Sequence, residues 1–269
     1  MSIGYKNNVR MFGSGVEPIV FVHGFGCDQN VWTRMAPHFA DDHRIVVFDH
    51  VGAGRSDLAA YDESRYRTLD AYAEDLLQLC DAFDIQKPVV VGHSVGATIA
   101  MLAANLEPGR FKGLGMIAPN PCYINDGDYV GGFEREDVDE LLDLLDSNYL
   151  GWTSTMAKVL MQHADRNDVE AELTNSFCRT DPDIARHFAR VTFLSDHRDA
   201  LPHLTVPTLL LQTQQDIVAP PSVGDYLHAT VPASELVRMD AIGHCPHLSA
   251  PDETAGHLGR FIASLAPTR

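Results

Sequence analysis

A serine between two glycines, in the stretch Gly92-His-Ser-Val-Gly96, is the first feature of the sequence with chemical potential. It follows the apolar run Pro-Val-Val-Val and precedes an alanine-rich segment, so we predict that a strand turns abruptly into a helix at Ser94. Such a turn is tight, and the positions two residues before and after the serine must lack side chains. The hydroxyl is then exposed at a helix N-terminus, where the helix dipole favours developing negative charge. The pattern predicts a nucleophile rather than a structural turn serine.

A nucleophilic serine needs a base and an orienting acid. Where the serine lies in such a strand-to-helix turn, the acid follows it along the chain and the histidine base comes after the acid. Asp216 comes just after the apolar run Thr-Leu-Leu-Leu-Gln, at the carboxyl end of a predicted strand, where such sheets place their ligands. A helix cap or a turn is the other role open to Asp216. His244 lies in a later loop, Ala-Ile-Gly-His-Cys-Pro-His, and its rival as base is His247.

We take His244, directly after Gly243, as the base, and we expect His247 to pack at the start of the last helix. Two histidines at this spacing could bind a metal ion, but no third ligand is in register, so we expect no metal site.

Two backbone N–H groups must meet the oxyanion that forms during acyl transfer. One belongs to Val95, the residue after the serine. The loop His-Gly-Phe-Gly-Cys-Asp at 23–28 follows an early apolar run, and Phe25, between two glycines, is the expected second donor. A plain strand-ending turn is the simpler alternative for this loop. We expect His23 and His93 to support the loops structurally.

Short apolar runs alternate with helical patterns and predict the elements that hold these residues in place. Nearly uniform apolar strands separated by helices are typical of a parallel sheet buried on both faces. Four consecutive helical patterns between the strands at 113–119 and 206–212 predict a four-helix insertion. Further strands are expected at 18–24, 43–50, 88–94 and 234–240, the inserted helices at 134–146, 149–162, 167–178 and 182–194, and the other helices at 68–85, 95–106, 221–230 and 251–265.

Composition is that of a globular protein, with 269 residues of which 45% are hydrophobic and 21% charged. This length suits one large α/β domain or two small ones. The net charge of −17 argues against nucleic acid or an anionic membrane as partner, because both need a basic footprint. More than half of the acidic excess falls in residues 123–200, which we interpret as a solvated surface, with a docking face for a basic partner as the alternative.

Membrane insertion, secretion and disulfide bonding are not expected. No apolar run reaches the roughly 18 residues of a membrane helix, and the N-terminal stretch lacks the pattern of a secretory signal. Five cysteines without a Cys-x-x-Cys pair favour reduced thiols in a cytoplasmic protein.

Taken together, HGFG (23–26), DHVGAGRSD (49–57), GHSVG (92–96) and GHCPH (243–247) resemble the α/β-hydrolase superfamily. Within it, the chain is similar to the RsbQ-type stress-regulatory hydrolases of bacteria and to the related karrikin and strigolactone receptors. The similarity extends over essentially the whole chain. Its more specific stretches are PNPCYINDGDYVGGFE (119–134), NYLGWTSTMA (148–157), RTDPDIARHFARVTFLSDHR (179–198) and GHCPHLSAPDE (243–253).

The resemblance implies an α/β-hydrolase core at 1–119 and 201–269, with a helical lid at 120–200 above the triad. It also implies a hydrophobic pocket between lid and sheet, although any single lining residue could instead be lid core. Met156 stands where the plant receptors often have an aromatic residue. The positions that match the pocket lining are Phe25, Tyr123, Phe133, Trp152, Met156, Phe193 and Val218.

We therefore expect Ser94 to attack the ester or lactone carbonyl of a small hydrophobic ligand such as a butenolide. His244 would take the serine proton and later activate water, while Asp216 holds the imidazole tautomer. We expect no cofactor, and a monomer. The alternative is a ligand-sensing regulator that acts through a partner protein, with slow or incidental hydrolysis. A dehalogenase would have Asp at position 94, whereas a perhydrolase side reaction stays open.

Overall fold

The computed structural model describes residues 2–162, 167–177 and 179–265 of the chain. Across these residues seven strands form one sheet in the order β1-β3-β2-β4-β5-β6-β7. β1 runs antiparallel to β3, and every other neighbouring pair is parallel. The mostly parallel α/β architecture predicted from the sequence is confirmed. The strands are β1 Arg10–Phe12, β2 Pro18–Val22, β3 Arg44–Val47, β4 Val89–His93, β5 Gly113–Ile117, β6 Thr208–Gln212 and β7 Ser234–Arg238.

The helices agree with the sequence patterns to within a few residues at each end. Two four-residue helices, α1 and α9, were not predicted, and His247 lies in α9 rather than at the start of the last helix. The described α-helices are α1 Ile3–Lys6, α2 Asp70–Ala82, α3 Val95–Leu106, α4 Arg135–Ser147, α5 Tyr149–Met161, α6 Asn167–Phe177, α7 Pro182–Phe193, α8 Pro221–Thr230, α9 Pro246–Ser249 and α10 Pro251–Ser264.

Alternate residues of the central strands pack into two separate apolar cores, one on each face of the sheet. In β4, Val89 and Val91 belong to one core and Val90 to the other. Successive side chains of a strand point to opposite faces, so a strand covered on both sides must be apolar at every position. This burial explains the uniform valine run that precedes Ser94.

Four described helices, α4–α7, lie between β5 and β6. Their apolar faces extend one of the two cores, since Trp152 and Phe177 pack in the same cluster as Val91. Ion pairs also attach this insertion to the sheet domain, including Arg34 with Glu172 at 3.0 Å. The boundaries of a separate lid at 120–200 stay a prediction.

The described cysteines, Cys27, Cys80, Cys122 and Cys245, are all buried and unpaired. Cys178, the last residue of one predicted helix, lies outside the described residues. No helix in the described part of the chain has the length and apolar character needed to cross a bilayer.

Candidate active site

Ser94 occupies the sharp turn between β4 and α3. Its φ of 54° and ψ of −127° lie in a region that residues with a side chain rarely adopt. A Cβ atom on Gly92 would lie 2.5 Å from the Cα of Ala97, and one on Gly96 would lie 2.5 Å from the carbonyl oxygen of His23. Both obstacles are backbone atoms, so Gly92 is required by the turn itself and Gly96 by the packing of the turn against the end of β2.

The fold brings Ser94 next to His244 and Asp216, which lie far from it in the sequence. Ser94 Oγ lies 2.8 Å from His244 Nε2, and His244 Nδ1 lies 2.7 Å from Asp216 Oδ2. The carboxylate can only accept, so Nδ1 carries the proton and Nε2 is left to accept the proton of the serine hydroxyl. All three side chains are buried. This is the arrangement of a nucleophile, a base and an orienting acid.

Asp216 also serves as a turn residue. Its second oxygen, Oδ1, accepts hydrogen bonds from the backbone N–H groups of Val218 at 2.8 Å and Ala219 at 3.0 Å. The two roles considered for Asp216 are therefore compatible, because each uses a different carboxylate oxygen. The turn fixes the carboxylate plane, and the carboxylate in turn orients the imidazole.

The loop that carries His244 is held from two sides. His93 Nε2 lies 2.9 Å from the carbonyl oxygen of His244 and can donate to it, and the N–H of His244 donates to the carbonyl of Leu160, near the end of α5, at 2.8 Å. Gly243 permits this approach, since a Cβ there would lie 2.3 Å from the carbonyl oxygen of Met161. The contact with α5 was missed in the sequence because it joins backbone atoms and depends on no residue type.

His247 does not take the place of His244. Its ring is fully buried and lies 4.3 Å from the ring of His93 and 4.8 Å from that of Trp32, measured between centroids. Burial, with a smaller contribution from His244, lowers the pKa of His247 to about 3. Burial also lowers the pKa of His93 well below its ordinary value, assisted by the neighbouring histidines. Both rings are therefore neutral supports behind the site.

The two predicted oxyanion donors belong to segments that meet at Ser94. Val95 is the first residue of α3, where backbone N–H groups have no intrahelical partner. On the other side, the N–H of Cys27 closes a turn onto the carbonyl of Gly24 at 3.3 Å. Gly24 lies against the turn at Ser94, since a Cβ on Gly24 would lie 3.2 Å from the Cβ of Ser94. Phe25 follows directly, and its N–H is not used by this turn. Its role as donor stays a prediction.

A cavity of about 70 Å³ lies above Ser94 and is almost wholly apolar. All seven residues proposed from the resemblance line it, namely Phe25, Tyr123, Phe133, Trp152, Met156, Phe193 and Val218. The sequence gives no signal that separates a lining position on an apolar helix face from a packing one, so other lining residues were missed. These are Cys27, Leu141, Val159, Leu160, Leu173, Phe177, Thr192, Ile217 and Cys245.

Tyr123 adds a polar group to this cavity. Burial raises the pKa of Tyr123 well above its ordinary value, although a hydrogen bond with Ser94 partly opposes the shift. The phenol therefore stays protonated and can donate a hydrogen bond next to the serine oxygen. Its ring packs edge-on against Phe193 at 5.0 Å between centroids, which fixes its position.

Among the described residues, no three His, Cys, Asp or Glu side chains lie close enough to hold a metal ion.

The chain is similar to proteins of the alpha/beta hydrolase fold, among them proteins named as a receptor and as an esterase. A family model described as alpha/beta hydrolase fold matches residues 17–190. The chain is 39% identical to the karrikin insensitive 2 receptor CA of Petunia hybrida over 95% of both chains, and 40% identical to a probable esterase of Oryza sativa subsp. japonica over 95% of both. A solved structure of olei00960, a hydrolase from Oleispira antarctica, superposes with a TM-score of 0.94 at 39% identity, covering 97% of this chain and 96% of the other.

Proposed function

Since the chain belongs to the α/β-hydrolase family, we propose that it hydrolyses carboxylic esters or lactones of small hydrophobic molecules, with Ser94 as the nucleophile. The observation that carries this proposal is the continuous hydrogen-bond chain from Ser94 Oγ through His244 to Asp216, with distances of 2.8 and 2.7 Å. The esterase named among its relatives supports the same reaction class.

In the first half of the reaction, His244 Nε2 takes the hydroxyl proton as Ser94 Oγ attacks the substrate carbonyl. The carbonyl electron pair moves to oxygen, where the N–H groups of Val95 and Phe25 stabilise it. The tetrahedral intermediate then collapses, the bond to the leaving oxygen breaks, and His244 returns the proton to that oxygen. An acyl group remains on Ser94.

In the second half, His244 takes a proton from water, which attacks the acyl carbon. Collapse releases the carboxylic acid and restores the serine hydroxyl. Asp216 stays ionised throughout and stabilises the imidazolium that forms twice.

The cavity supports a small substrate. One water molecule needs roughly 10–15 Å³ of such a volume, so the cavity of about 70 Å³ suits a short acyl chain or a single five-membered ring such as a butenolide. Its apolar lining favours a hydrophobic group, and Tyr123 supplies a donor for an oxygen of the substrate. A longer acyl chain requires the helices above the cavity to move.

Initial rates with p-nitrophenyl acetate, butyrate and octanoate test this function. We expect the acetate and butyrate to react faster than the octanoate. Ser94→Ala should lower the rate by at least about a thousandfold, whereas Ser222→Ala, a serine exposed on α8, should not change it. Hydrolysis at the native rate by Ser94→Ala would show that the proposed chemistry is wrong.

Similarity to a protein named as a receptor favours a second candidate function, ligand sensing through a partner protein. The Ser94→Ala variant tests binding apart from turnover. A role that depends on binding alone persists in it, and a butenolide ester should still raise its melting temperature although turnover is lost. Loss of this thermal shift together with turnover would contradict the sensing role.

A further inference from the structure

A second cleft, of about 400 Å³, opens beside the loop that carries Phe25 and has no part in the hydrolytic mechanism. In contrast to the apolar cavity above Ser94, it is lined by charged and amide side chains. These are Asn8, Arg10, Asp28, Gln29, Asn30, Asp49, Arg55 and Arg179.

The carboxylate of Asp49 accepts three hydrogen bonds from donors within the protein. Oδ1 accepts from the N–H of Gln29 at 2.8 Å, while Oδ2 accepts from Asn8 Nδ2 at 2.7 Å and from the N–H of Arg55 at 2.9 Å. Gly54 permits the close approach of this loop, since a Cβ there would lie 2.5 Å from Asp49 Oδ2. This loop therefore places Arg55 beside the cleft, and the N–H of Arg55 helps to stabilise the negative charge of Asp49.

The second carboxylate, Asp28, accepts a hydrogen bond on each of its oxygens. Oδ1 accepts from the N–H of Asn30 at 2.9 Å, and Oδ2 accepts from Arg179 Nε at 2.6 Å. Arg179 lies between α6 and α7, so this ion pair joins the helical insertion to the loop that also contains Phe25.

The guanidinium groups of Arg10 and Arg55 have no carboxylate partner among the described residues. Most other described arginines are ion-paired, as expected in a chain with 37 acidic and 20 basic residues.

We propose that this cleft binds the phosphate group of a small phosphorylated metabolite. Arg10 and Arg55 present guanidinium groups that suit phosphate oxygens. Together with Arg179 they bring three positive charges to the cleft, against the two carboxylates that line it. A bound phosphate also competes with Asp28 for Arg179, so occupancy of the cleft is coupled to the insertion and to the Phe25 loop.

Calorimetric titration of the full chain with inorganic phosphate and with glycerol 3-phosphate, at constant ionic strength, tests this site. We expect saturable binding of both. The double variant Arg10→Gln/Arg55→Gln should bind each at least about tenfold more weakly, because it loses charge-assisted hydrogen bonds. Arg67→Gln, which removes an exposed arginine without a described ion pair, is the matched control and should bind as the native protein does.

Both arginines are exposed and lie outside the hydrolytic machinery, so the double variant should retain native p-nitrophenyl acetate hydrolysis, which shows that it is folded. Absence of saturable binding to the native protein, or equal affinity in the double variant, overturns the proposal. Either result would leave the hydrolase function untouched, since that function rests on Ser94.

Discussion

Replacing His247 by Gln should make the protein markedly less sensitive to acid. The imidazole is fully buried between Trp32 and His93. Neither of its ring nitrogens has a hydrogen-bond partner among the described residues, and burial lowers its pKa to about 3 from an ordinary value of 6.5. Folding therefore keeps this ring neutral under conditions in which the unfolded chain would protonate it.

The size of the effect follows from this difference in pKa. Above pH 6.5 the ring is neutral in both states and costs nothing. As the pH falls from 6.5 towards 3, only the unfolded chain takes up the proton, so the free energy of unfolding drops by about 1.36 kcal/mol per pH unit. At pH 5.0 the loss amounts to about 2 kcal/mol. Gln does not titrate, so the variant is spared this loss.

Urea denaturation followed by circular dichroism at pH 7.5 and pH 5.0 measures the effect. Any packing defect of the His247→Gln variant lowers the free energy of unfolding at both pH values. It therefore cancels when the value at pH 5.0 is subtracted from the value at pH 7.5. The free energy of unfolding should fall by about 2 kcal/mol less in the variant than in the native protein, while His228→Gln, at an exposed site, should behave as native. If the native protein and His247→Gln lose equal stability on acidification, the ring is not held neutral and the reasoning fails.

Three further substitutions test the site. Asp216→Asn should lower kcat by about 10⁴-fold with little change in KM, because the amide no longer stabilises the imidazolium; an effect confined to KM would contradict the orienting role. Tyr123→Phe should lower kcat/KM for small esters by about tenfold through the loss of one hydrogen bond, with the exposed Tyr5→Phe as control; unchanged kinetics would remove Tyr123 from the mechanism. Gly96→Ala should cost about 3 kcal/mol in denaturation experiments through overpacking, whereas Gly259→Ala, which meets ordinary contacts, should cost little; equal stability of both variants would argue against the close packing of Gly96 on the end of β2.

Features that require a particular type of residue at a particular position were predictable from the sequence. The valine run of β4 reads as a strand buried on both faces because each position contacts one of the two cores. The glycines around Ser94 were predictable because only glycine avoids backbone clashes within the turn and against the neighbouring strand. The acid and base could be proposed because strands of a parallel sheet deliver their following loops to the same edge.

Other features leave no such signal. β1 is a three-residue exposed edge strand, and α1 and α9 are single turns, all too short for a periodic pattern. The hydrogen bond from His244 to Leu160 joins backbone atoms. The polar role of Tyr123 depends on where its hydroxyl lies relative to Ser94, which residue type alone does not determine.

Covalent labelling with a fluorophosphonate tests the central claim, that His244 activates Ser94, most directly. Intact-mass and peptide analysis should find one adduct per chain, on Ser94, formed at a rate that falls by at least about a thousandfold in His244→Ala. An adduct on another residue, or labelling of Ser94 at the same rate in His244→Ala, would contradict the account.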